Sequence, residues 1–364
     1  MKKRIDFEIM RIVAILFVLI NHTGTNRFIC TDIYNDGQNV FQYSVFLMLT
    51  SLARIAVPLF FMISGALLIP KKESIKEIMQ KRILKYLCII VVFSGIQYFI
   101  DAYMYKNVSV SIESFVEYIS RMYAGPVVVP YWFLYSYISV LILLPFFRSM
   151  VTHMTSEQFH YLIVLHLIFV SCFQVFERIY SMDPINVSLP LVCETSFFYF
   201  IIGYYLDLHV VRNAKKEGIL GIIALVSVIC SALLVYREVS QKNVFFDGSQ
   251  YNYSSSLILF PVAFVFLWIK NHGQIKCKSI NWFIQKMGRI AFPLYLLERV
   301  FDVLTFDVYF ISNRYFPPII SWMIWVMASF VLAFILISMY RFIIDKTKGL
   351  ITEWIKRPKT SHPL

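Results

Sequence analysis

The chain is short of charge. Acidic and basic side chains make up 15% of its 364 residues, against ~25% in an average soluble domain. Paired cysteines are missing too. Cys30, Cys88, Cys172, Cys193, Cys230 and Cys277 form no CxxC, and several fall inside apolar runs. They read as small hydrophobes, so neither a disulfide framework nor a metal site is expected. The first apolar run is followed by no small-residue cleavage site, so it reads as a span and not a removable signal. No internal repeat of the kind common in inverted-repeat transporters is visible.

Apolar sequence fills the space that charge leaves. Hydrophobic residues make up 59% and aromatics 17%, and mean hydropathy is +0.66. This composition predicts an all-α, polytopic integral membrane protein. About ten transmembrane helices are expected, near 8–28, 45–69, 83–103, 129–147, 159–176, 190–208, 218–236, 254–270, 288–306 and 318–342. Residues 1–345 then form one membrane-integral domain and 346–364 a basic cytosolic tail, either amphipathic on the inner leaflet or disordered. The loops near 104–128, 177–189 and 237–253 carry turn residues such as Gly125-Pro126 and Asp247-Gly248 and are too short for a separate domain.

The formal net charge of +12 would suggest nucleic acid in a soluble protein. Here no nucleic acid is expected, because the basic residues collect in alternate loops. Lys2, Lys3 and Arg4, then Lys71, Lys72, Lys76, Lys81, Arg82 and Lys85, then Arg212, Lys215 and Lys216 share one side with the tail. The positive-inside rule makes that side cytosolic and places both termini there, in a cell membrane.

The first span holds the most informative stretch, RIVAILFVLINH from Arg11 to His22. Eleven residues of α-helix advance about 16 Å and close about three turns, so Arg11 and His22 share one face. Two ionisable groups stacked along one side of a membrane helix point to a polar cavity. Either residue alone could instead snorkel or sit at a rim.

Further polar groups lie in other spans. Arg54 precedes Pro58 in RIAVPLFFMISGALLIP. Pro58 is expected to loosen the helix just after Arg54 and free carbonyls toward a cavity; the alternative is a kinked packing helix with Arg54 paired to a carboxylate. Tyr131, Trp132, Tyr135 and Tyr137 form an aromatic group at the outer interface, as a belt or as a platform for sugar faces. Gly203, Asp207 and His166 read as structural. In GRIAFPLYLLERVFDVLTFD, Glu298 and Arg299 are adjacent and so point about 100° apart. Each therefore needs its own partner, with Glu298 or Asp302 facing Arg54 or Arg11. Structural pairing and a substrate role are both open for them.

Five of these segments, in order along the chain, resemble motifs of the acyltransferase type 3 membrane family. RIVAILFVLINH is similar to its Arg-to-His first-span signature and RIAVPLFFMISGALLI to its second span. YWFLYSYISVLILLP, FFYFIIGYYLD and GRIAFPLYLLERVF resemble three later segments. The resemblance implies ten-span enzymes that transfer acyl groups, usually acetyl from acetyl-CoA, to hydroxyls of surface polysaccharides or lipid-linked precursors. It implies His22 and Arg11 as an essential pair and Arg54 as a further important arginine. Glu298 departs from the pattern, since many members carry histidine there, which puts the role of that position in doubt.

The chemistry agrees. A thioester is an activated donor, and a histidine can take a proton from an alcohol near neutral pH. His22 could equally be acetylated transiently. Arg11 could attract the donor's pyrophosphate or its pantetheine carbonyls. Expected partners are acetyl-CoA as donor substrate, a glycan or glycolipid acceptor and membrane lipid, with self-association into a homo-oligomer left open. A polysaccharide or organic-acid transporter, with the same charges lining a permeation path, is the competing reading.

Overall fold

The computed structural model describes residues 4–24, 26–35, 40–106, 111–180, 182, 194–242 and 256–356. Among them every regular element is helical and none is a strand. The chain is a polytopic all-α protein. Six helical stretches are long and apolar enough to cross a membrane: Val40–Leu68, Ile75–Phe99, Val129–Val151, Ser156–Glu177, Ala214–Arg237 and Pro318–Phe342.

The other four expected spans also appear as helices. They are α1 (Ile5–Gly24), which the sequence opens with, and three later ones described below. A short α2 (Arg27–Asn35) follows, and the second span is two helices, α3 (Val40–Ala53) and α4 (Ala56–Leu68). The third begins at α5 (Ile75–Ile78), whose first turn is fixed by a reciprocal Ser74–Glu77 capping box. It runs through a wide π-helical stretch, Met79–Ile83, into α6 (Leu84–Lys106).

Next come α7 (Ile112–Ala124), α8 (Trp132–Val151), α9 (Ser156–His166) and α10 (Phe173–Tyr180). The rest of the chain forms α11 (Thr195–Leu208), α12 (Ala214–Lys242), α13 (Ser256–His272), α14 (Lys278–Ser312) and α15 (Pro318–Lys356).

One expectation about connections needs correcting. The stretch near 104–128, read as a loop of turn residues, contains α7. Its Ile112, Phe115, Val116, Ile119 and Tyr123 are exposed at helical spacing, an apolar stripe suited to an interface. At the other end of the chain, α15 runs on to Lys356. Residues 357–364, and most of the loops near 177–189 and 237–253, lie outside the described residues.

Helices in a membrane gain little from burying apolar faces against each other, so close backbone approach matters. The tightest contact joins α4 and α11, where two glycines interlock. A Cβ on Gly65 would run into the Phe200 carbonyl, and one on Gly203 into the Met62 backbone. Almost all of α11 is buried. Helix α1 packs against α3, α4, α13 and α14, which puts the Arg11–His22 face in the middle of the bundle.

Ionic clasps tie one end together. Arg4 donates to Asp207 at 2.8 Å through two N–H groups, linking the start of α1 to the end of α11. Glu73 accepts from Arg82 at 2.6 Å and from Arg148 at 2.8 Å. Arg148 also donates to the Leu68 carbonyl at the end of α4. Hydrogen bonding to Arg82 is the main cause that holds the Glu73 carboxyl down, at about 2 against the usual 4.5.

Candidate active site

Polar residues on α1 recur along one side. Glu8 and Arg11 are three apart and therefore neighbours on the helix surface. Glu8 Oε1 accepts from Arg11 Nη1 at 2.8 Å. Two turns further on, Val18 lines the same cavity as this pair, and His22 follows one turn beyond Val18. The cavity measures about 400 Å³, within the usual range for small-molecule sites. Its polar lining comes from Glu8, Arg11, Ser64, Tyr86, Tyr137 and Arg289, and its apolar walls from α4, α8 and α14. Tyr86 and Tyr137 meet edge to face there, with ring centroids 4.9 Å apart, and the Ser64 hydroxyl donates to the Phe60 carbonyl at 2.8 Å.

Glu8 fits because position 288 is glycine. A Cβ there would collide with the Glu8 carboxylate. Glu8 itself is buried, so its pairing with Arg11 leaves a nearly neutral unit in the cavity wall.

His22 meets its partner across the bundle. Its Nδ1 lies 2.5 Å from Oε1 of Glu298 on α14. The Glu298 side chain is 4% exposed and that of His22 29%. A carboxylate on Nδ1 fixes the ring and favours the tautomer with its lone pair on Nε2. Asp302, one turn beyond Glu298, is close enough to act on His22 electrostatically, as is the buried Arg54. The Asp302 carbonyl accepts from Trp325 Nε1 at 3.2 Å.

The neighbouring elements hold this pair in place. Thr23 accepts from Trp322 Nε1 at 2.9 Å, which fastens α1 to α15 beside His22. A reciprocal clasp joins α14 to the start of α8. Tyr131 donates to the Leu296 carbonyl and Tyr295 to the Pro130 carbonyl, both at 2.6 Å. Leu296 is two residues before Glu298, so the clasp sets the height of that carboxylate.

The helix breaks at Arg54–Ile55, where the sequence placed the loosening. Pro58 has no N–H to give the Arg54 carbonyl, and its ring crowds that carbonyl. The cost therefore falls four residues upstream, at the Arg54–Ile55 turn between α3 and α4. The last α3 carbonyl does not open toward a cavity, because Asn21 Nδ2 donates to the Ala53 carbonyl at 2.8 Å. His22 thus has a neighbour that splints the break where Arg54 sits.

The partners foreseen for the carboxylates also differ. Arg11 pairs with Glu8, and Glu298 pairs with His22. Arg299, next along, is exposed on the other side of α14 and stands apart from the cavity. Tyr135 donates to the Met122 carbonyl at 3.1 Å, so it fastens α7 and does not face His22. Trp132 is half-buried against the core. Of the aromatic group, Tyr137 is the residue that reaches the cavity wall, not an outer belt. His166 is buried and stacks on Phe198 with ring centroids 3.5 Å apart, a packed interior histidine.

Sequence reasoning missed Glu8, Tyr86 and Gly288. The three-residue spacing of Glu8 and Arg11 was the available signal for the first. Nothing local marked the other two. A family model described as an acyltransferase domain matches residues 4–340. No curated protein and no solved structure matches the chain.

Proposed function

The chain belongs to the acyltransferase domain family and is a membrane acyltransferase; we propose that it moves an acetyl group from acetyl-CoA to a hydroxyl of a cell-surface polysaccharide or of its lipid-linked precursor. The observation that carries this reading is the His22–Glu298 pair one turn beyond the cavity that Arg11 lines.

In this reading the acetyl thioester enters past Arg11 and extends along α1. Glu298 holds the imidazole through Nδ1, and Nε2 accepts the proton of the acceptor hydroxyl as the oxygen attacks the thioester carbonyl. The C–S bond breaks as the new C–O bond forms. The proton returns from His22 to the departing thiolate, giving the ester and free CoA with no net proton released. Arg54, buried near His22, supplies positive charge where the carbonyl oxygen becomes an oxyanion. The orientation of Nδ1 toward a carboxylate favours His22 as base over His22 as acyl carrier. Both termini are taken as cytosolic, on the support of the basic residues around Lys71–Lys85 and Arg212–Lys216, which places the Arg11 end of the cavity beside the cytosolic donor.

The test uses full-length protein in detergent with radiolabelled acetyl-CoA and a lipid-linked glycan fraction. Acetyl label appearing on the glycan, with one free thiol released per ester, is the expected result. No transfer and no thiol release with any glycan fraction contradicts it.

A further inference from the structure

The cavity divides its positive charge unequally. Arg11, inside, is paired with buried Glu8 at 2.8 Å, and the missing side chain at Gly288 makes the room that this carboxylate fills. Arg82 and Arg148, nearby, share Glu73. Arg289 also lines the cavity but is exposed, and among the described residues no carboxylate lies within ion-pair distance of it.

A second arginine stands beside it for a backbone reason. Pro293 inside α14 cannot donate to the Arg289 carbonyl four residues earlier. Arg341 of α15 takes that carbonyl instead, with Nη2 donating at 2.9 Å. This brings a second guanidinium to the backbone at Arg289, and among the described residues it too lacks an ion pair.

We infer that the donor is read in two parts: Arg289, backed by Arg341, binds a phosphate-bearing head at the cavity mouth, and the Glu8–Arg11 pair binds a neutral carbonyl of the arm inside. The inference rests on the proposed acyl-CoA donor and chooses between the two roles the sequence leaves open for Arg11.

A phosphate brought to Arg11 would meet Glu8 as well, inside a largely apolar wall, and would lose its hydration for almost no net attraction. A thioester or amide carbonyl carries no net charge. It gains a charge-assisted hydrogen bond from Arg11 without repulsion from Glu8. At the mouth, an uncompensated and partly hydrated guanidinium attracts phosphate at little desolvation cost.

The experiment compares two donors, acetyl-CoA and S-acetylpantetheine, which share the thioester and amide arm but differ in the phosphates. Binding of each to full-length protein in detergent is measured for wild type, Arg289→Gln and Arg11→Gln. A Glu8→Gln/Arg11→Gln double variant removes both charges together, so no buried carboxylate is left unpaired. Loss of one charged hydrogen bond corresponds to about ten- to a hundredfold in affinity. Arg289→Gln is expected to lose that factor for acetyl-CoA alone. Arg11→Gln and the double variant are expected to lose it equally for both donors.

An Arg11→Gln or double-variant defect confined to acetyl-CoA, or an Arg289→Gln defect equal for both donors, overturns the division. Wild-type protein that binds neither donor overturns the acyl-CoA reading itself, which is a different outcome.

Discussion

Nδ1 of His22 and Oε1 of Glu298 are 2.5 Å apart although 276 positions separate them in the chain. The family resemblance implies histidine at the place of Glu298 in many members. In this chain a carboxylate occupies it and engages the first-span histidine directly. The departure from the pattern thus falls on the best-defined contact of the site.

Glu298 is a positioning residue in this account. Glu298→Gln keeps the shape but removes the charge that steadies the imidazole as it takes a proton. Turnover is expected to fall about 10²- to 10⁴-fold, by analogy with loss of the orienting carboxylate in hydrolytic triads. Acetyl-CoA binding should stay within about twofold of wild type, since a lost charged hydrogen bond would cost more than that. Steady-state kinetics together with direct donor binding checks the split. A variant that loses donor binding and turnover in step assigns Glu298 to the donor site instead.

Gly203 is predicted to be a packing requirement. In Gly203→Ala the new Cβ meets the Met62 backbone, and backbone on both sides leaves no side chain to swing away. Overpacking of this kind costs about 1–3 kcal/mol. Thermal unfolding in detergent should show a lower midpoint, with less protein recovered as a single species. An unchanged midpoint would mean that α4 and α11 are not so closely apposed.

The Glu73 clasp carries a pH signature. Its folded carboxyl is depressed to about 2 from the usual 4.5, chiefly by the hydrogen bond from Arg82. A depressed acid stabilises the fold above its unfolded value and loses that contribution as pH falls toward its folded value. The difference in unfolding midpoint between wild type and Glu73→Gln should therefore be full at pH 6–7 and shrink between about pH 4.5 and 2. A difference that grows as the pH falls has the wrong sign for this clasp.

The apolar stretches were readable because membrane helices are specified locally, by length and hydropathy. Each of the ten expected segments overlaps described helix, and six stretches meet the length and hydropathy needed to span. Arg11 and His22 share a face by helix periodicity alone. The partner of His22 was not readable, since only the packing of α1 on α14 brings Glu298 to it. Arg54 shows a subtler limit. Pro58 marks a break, since the missing N–H and ring clash act on the carbonyl four residues earlier, but Asn21 then closes the gap from another helix. Helix α7 was hidden for the opposite reason. Its stripe from Ile112 to Tyr123 has helical spacing, but the Gly125-Pro126 turn signal drew the whole segment into a loop.

The most direct test of the account is acetyl transfer by His22→Ala at saturating acetyl-CoA, measured as ester formed on the glycan and thiol released. Donor binding is expected to stay near normal while transfer falls about 10²- to 10⁴-fold, the usual cost of losing a general base. Transfer at the wild-type rate would contradict the account, because the imidazole held by Glu298 would then have no part in the reaction.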